Sequence, residues 1–176
     1  MIPERKETKM DVLLREVPEQ IVITEQRMVD QAALESWLPE AMARVHMAAG
    51  DAAAATVDQP HLDRGHAPDE PVFIVIYDGN PNEGETAVEC CTPLRAGSRS
   101  PADAASRTIP AHREAYVRVT KNTVQSGLIG DVYMAIEQWV GDNGLDVAAA
   151  PRESYWTDFY AAGGDDEVLD VAYPVR

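Results

Sequence analysis

The chain repeats itself. Val17-Pro18 recurs as Ile109-Pro110, Pro71 with the strand after it recurs as Pro151 with its strand, and Thr92-Pro93 recurs as Tyr173-Pro174. Each half then reads as strand, helix, strand, strand. A half this small buries its sheet face poorly alone, so the two are expected to pack about a pseudo-twofold axis as one α+β domain. Both helices should lie on one side of the sheet, and the seam between such halves is a common place for a ligand groove.

Periodicity fills in the elements. Residues 10–27 read as two extended pieces around Pro18, the second carrying Ile21, Val22 and Ile23. Leu34, Trp37, Leu38, Ala41, Met42 and Val45 recur at helical steps up to Gly50, and Pro39 marks either a kink or a first turn. Residues 51–70 have no sustained period and read as a long loop. Val72 to Tyr77 and Thr86 to Leu94 then form a hairpin around DGNPNEGE. The small, polar segment 95–105 reads as a linker between pseudo-repeats of about 10–94 and 106–176, with 1–9 as an N-terminal tail. After it come a strand over Arg113 to Thr120, a helix carrying Leu128, Ile129, Val132, Ile136, Trp139 and Val140, and strands over Glu153 to Tyr160 and Glu167 to Val175.

Charge narrows the function. Thirty acidic against fifteen basic residues in 176 give a formal charge of −15, with 45% hydrophobic content of ordinary globular kind. That balance disfavours nucleic acid as a direct partner and suits cationic ligands. The charged N-terminus lacks the apolar core of a secretory signal, and the longest apolar run is too short for a bilayer. No membrane association and a cytoplasmic location are expected. Cys90 and Cys91 are neighbours that a strand points to opposite faces, so two free thiols are expected.

Several motifs fail on inspection. Asp78, Asn80, Asn82 and Glu89 mimic a calcium loop, but Glu83 stands where glycine is required and the flanks are strands. His61, Asp63 and His66 lie in a loop with no companion ligand motif. His112-Arg113-Glu114 lacks the Pro-Cys-x-x-Cys that a zinc deaminase needs. No nucleophile elbow, phosphate-binding loop or dinucleotide fingerprint occurs, so no metal and no cofactor is expected.

What remains is a set of aromatics and carboxylates. Glu153, Tyr155 and Thr157 alternate and share one strand face. The first half puts Tyr77 where the second has Tyr155, and Val75 where the second has Glu153. A carboxylate replacing an aliphatic at a pseudo-equivalent core position costs free energy unless something compensates it, which makes Glu153 a functional candidate; the alternative is that it faces water on a sheet edge. Tyr116 and Trp156 offer further stacking area, and Tyr133, Glu89 and Trp37 complete the candidates. Trp37 and Trp139 also fit plain core packing within their helix stripes.

REAYVRVT at 113–120, PRESYWTDF at 151–159 and DDEVLDVAYPV at 165–175, with FIVIYDGNPNEG and AVECCTPL in the first half, resemble the GyrI-like effector-binding family. The resemblance runs from about Val12 to the C-terminus. It implies a duplicated β-α-β-β module, a curved antiparallel sheet with two helices and a central groove. It also implies hydrophobic, often cationic ligands held by aromatics over a buried glutamate, at the position of Glu153, with Tyr155 two residues on. Ser154 and Trp156 depart from the family's usual flanking residues. Nine residues before Met10 cannot form a helix-turn-helix, so a stand-alone binding domain is expected, with a homodimer as one assembly. The alternative is a hydrolase of cyclopropane-bearing toxins using Glu153 as its catalytic group in the same groove.

Overall fold

The computed structural model describes residues 10–62 and 69–176; the tail 1–9, Asp63 and His66 lie outside the described residues. The elements run β1 (Leu13–Val17), β2 (Gln20–Val29), α1 (Gln31–Ala49), β3 (Phe73–Tyr77), β4 (Thr86–Pro93) and β5 (Ser106–Ile109). They continue as β6 (His112–Thr120), α2 (Lys121–Gln125), α3 (Ile129–Asp142), β7 (Arg152–Tyr155) and β8 (Glu167–Val175). All eight strands join one curled antiparallel sheet in the order β1-β6-β8-β7-β3-β4-β2-β5.

That order reads alike from both ends. β7 and β3 meet at its centre, β8 and β4 flank them, β6 and β2 come next, and β1 and β5 form the edges. The registers agree as well. Val22 faces Pro93 as Glu114 faces Pro174, and Ile74 faces Cys91 as Arg152 faces Ala172. At the centre Val75 faces Glu153, so these two residues straddle the pseudo-twofold axis. Each half also lends its first strand to the other: β1 pairs with β6 and β5 with β2. Pro18 and Pro110, which cannot donate to a ladder, stand where each chain breaks from one half to the other.

Both helices lie on one face. α1 is capped by the Asp30 side chain, which accepts from the Ala33 amide at 2.9 Å, and ends at Gly50, whose φ of 56° suits glycine. It buries Leu34, Trp37, Ala41 and Val45 against Ile23, Val75, Tyr77, Val88 and Cys90. α3 buries Val132, Ile136 and Val140 against Val117, Val119, Leu169 and Val171. The opposite face carries Val22, Ile74, Ile76, Cys91 and Ile109 together with buried charged residues.

Of the two alternatives at Pro39 the first turn is excluded, since the residue sits inside α1, on its exposed side. Local structure departs from the sequence reading in three places. Residues 50–62 are not plain loop: they form three short 3-10 turns, tied down where Ala53 bridges to Leu94 and Ala55 to Pro71. A short helix absent from the sequence reading, α2, precedes the expected one, which is α3. The strand expected to reach Tyr160 stops at Tyr155. There Asp158 Oδ1 accepts from the Tyr160 amide at 3.0 Å and Lys121 Nζ donates to the carbonyls of Tyr160 and Ala162, which fixes a turn instead.

Candidate functional site

Between α1 and α3 the sheet is left uncovered, and a cavity of about 1450 Å³ opens over the β3–β7 seam. The first half contributes α1 and the 78–83 turn as one wall, and the second contributes α3 and residues 157–160 as the other. Alternation on the central strands sets the floor. Glu153 and Tyr155 point to the helix side, and Phe73 faces Tyr155 across the seam.

Glu153, only 6% exposed, is the centre of the floor. Its Oε2 accepts from the Tyr155 hydroxyl at 2.6 Å and the Tyr77 hydroxyl at 3.2 Å, and its Oε1 accepts from Tyr133 at 2.7 Å. Burial pushes the carboxyl above its ordinary range, against the pull of the three phenols. Burial and the neighbouring carboxylate likewise push Tyr77, Tyr133 and Tyr155 well above the usual phenol range, so all three remain donors. Beside them Tyr133 meets Tyr173 edge-on at 6.0 Å, and the Tyr173 hydroxyl donates to Glu137 at 2.6 Å.

Hydrogen bonds satisfy this carboxylate without neutralising it. No ion pair reaches Glu153 among the described residues. Eight residues lining the cavity are Asp or Glu, and none among the described lining is Lys, Arg or His. Leu34, Leu38, Met42, Phe73, Met134 and Phe159 supply apolar wall. An apolar cleft of uniformly negative sign, with low-dielectric walls, focuses potential on a positive guest.

The structure brings four of the sequence candidates together, Glu153, Tyr155, Tyr77 and Tyr133, and places the other four elsewhere. Trp156 follows Tyr155 and so turns to the opposite face, where it is fully buried with the Arg118 guanidinium 5.0 Å from its ring. Tyr116 also points to that face, under Arg15 at 3.9 Å. Glu89 alternates with the core-facing Cys90, and it pairs with Arg107 at 2.6 Å and accepts from Thr24 at 2.5 Å. Trp37 is core, packed in the cluster that holds Tyr77. Sequence reasoning missed Phe73, Tyr173 and Glu70 as lining residues. Phe73 was legible, two residues before Val75 on the same face; Glu70 carries no periodic signal.

Both thiols are free, with Cys90 on the helix side and Cys91 on the other. Among the described residues no group of three or more His, Cys, Asp or Glu is placed to hold a metal, and no helix is long and apolar enough to cross a membrane.

No protein-family model matches the chain, and neither does any curated protein. Solved structures do. The C-terminal domain of EcmrR superposes with a TM-score of 0.67 at 22% identity, over 95% of this chain and 98% of that one. Against EcmrR bound to DNA, the chain spans 58% of the longer protein. An uncharacterized conserved protein from Listeria innocua matches at TM-score 0.67 and 10% identity, over 96% of this chain and 93% of that one. SAV2435 bound to tetraphenylphosphonium matches at 0.54 and 10%, over 95% and 94%. At these identities the likeness is one of fold, the curled sheet of GyrI-like domains.

Proposed function

We propose that this protein is a GyrI-like effector-binding domain whose groove binds lipophilic cations. The carrying observation is Glu153: a buried carboxylate, held by three tyrosyl hydroxyls and faced by no cation among the lining residues described. Burying such a charge is costly unless something neutralises it, and a guest cation seated on Glu153 does so while its apolar body lies against Phe73, Tyr155 and Met42. The charge-assisted contact contributes about 1.5–3 kcal/mol and each stacked ring about 1 kcal/mol; with burial of the guest's apolar surface at about 25 cal/mol per Å² added, micromolar binding, about 8 kcal/mol, is expected. The tetraphenylphosphonium held by SAV2435, which shares this fold, is a guest of the same kind. A hydrolase would use the same glutamate as its base, but both Glu153 oxygens are engaged by tyrosines, and no feature of the described site favours turnover over binding.

The test is a matched pair of guests in isothermal titration, tetraphenylphosphonium and the neutral triphenylphosphine oxide. Glu153→Gln should weaken the phosphonium about 10–100-fold and the neutral compound by no more than a few-fold. Equal losses would show that the glutamate only supports the fold.

A further inference from the structure

A cavity of about 1450 Å³ is larger than one drug-sized cation needs, since such sites run to roughly 300–1,000 Å³. Its lining includes a second carboxylate with an unpartnered oxygen, Glu70, whose Oε2 is buried with no hydrogen-bond partner among the described residues. Buried carboxylate oxygens are almost always satisfied, so this one calls for a partner. Nor is the residue loosely placed: its carbonyl accepts from the Thr56 amide at 2.9 Å, and the next residue, Pro71, bridges to Ala55.

The path from Glu153 to Glu70 is aromatic. Along the β3–β7 seam Val75 faces Glu153, and two residues back on the same face Phe73 faces Tyr155. Pro71 and Glu70 follow, all on the cavity wall. Five residues separate Glu70 from the Val75 row that faces Glu153, so the backbone run between the two carboxylate positions is about 16 Å at about 3.3 Å per residue, the reach of a long spacer rather than a short one. From these observations we infer that the groove is built for elongated dications, with one cationic end on Glu153, the other on Glu70, and an apolar spacer over Phe73 and Tyr155. This inference rests on the cation-binding reading above and names its ligand class.

The experiment compares bis(trimethylammonium) ions linked by propane, hexane and decane chains with single-headed analogues that end in a hydroxyl, by isothermal titration on the intact chain. The decane-linked dication should bind about tenfold more tightly than its single-headed match, and the propane-linked one should show no such advantage. Glu70→Gln should abolish the advantage while leaving the single-headed ions unchanged, which also shows that the variant folds. Glu137→Gln removes an equal charge from the rim, where Tyr173 holds it, and should preserve the advantage. Equal binding of double- and single-headed ions, survival of the advantage in Glu70→Gln, or its loss in Glu137→Gln would overturn the second subsite and leave the cation site standing. Failure of every ammonium ion to bind would overturn both.

Discussion

The sheet buries carboxylates on both faces, and they are treated in opposite ways. On the face away from the helices Asp170 is fully buried between Arg15 at 2.6 Å and Arg118 at 3.0 Å. Glu114, 3% exposed, takes Arg15 at 2.7 Å and His112 at 3.0 Å. Arg118 also donates to the Leu62 carbonyl, which fastens the 3-10 segment over this face. On the groove face Glu153 meets only phenols among its described partners. The arginine-faced acids form a closed network in which each charge already has its opposite. Glu153 has its lone pairs occupied and its charge unanswered. Burial alone therefore does not identify a functional acid; what surrounds the charge does.

The largest expected effect lies on the closed side. Asp170→Asn leaves Arg15 and Arg118 buried with less counter-charge and should cost about 3–5 kcal/mol in denaturant unfolding; a loss below about 1 kcal/mol would mean that the network is not the clamp described. Acid should reach the same network next. Burial opposes ionisation of Glu114, yet His112 and Arg15 hold its carboxyl down at about 2, below the ordinary 4.5. Its contribution, on the order of 3 kcal/mol, is thus fully present above pH 4.5 and is lost as the pH falls towards 2. His61, pushed down to about 4 by burial and by Arg15, adds an earlier window, with stability lost between pH 6.5 and about 4. In a pH series of unfolding curves, His61→Gln should erase the upper window alone.

On the groove side the sign should reverse. Glu153→Gln removes an uncompensated buried charge while keeping an acceptor for the tyrosines, so ligand-free stability at neutral pH should rise by up to about 1 kcal/mol. A loss comparable to that of Asp170→Asn would make the two acids alike. The smallest effect is expected at Arg107. It reaches Glu89 from β5 much as Arg15 reaches Asp170 from β1, but it is 41% exposed. Arg107→Ala should cost less than about 1 kcal/mol by the same unfolding measurement.

Arg107 with Glu89 and Arg15 with Asp170 are the same device at pseudo-equivalent places, one in water and one buried. The duplication was readable because proline and strand spacings recur, and because alternation and helical period survive in both halves. Glu153 stood out by the same logic, as the position where the halves disagree. Trp156 is a sequence candidate for the groove although alternation already argues against it, since it is the odd-numbered residues of β7 that meet the helices. Tyr116 and Glu89 are different cases. Each lies on a strand whose two faces are both buried, and there the pattern does not say which face is the groove.

By itself the sequence determined the repeat, the kinds and order of the main elements, the hairpin turn and the central carboxylate, because these follow from local spacing and from comparison of one half with the other. Tertiary structure alone decided the rest. Tyr133 reaches Glu153 from a helix, Glu70 enters the cavity from a turn, and Arg15 crosses to the other half to meet Asp170. None of these meetings is encoded in spacing along the chain. Each depends on how far the sheet curls and on which strand the opposite half lends, quantities that are sums over the whole core rather than properties of any segment.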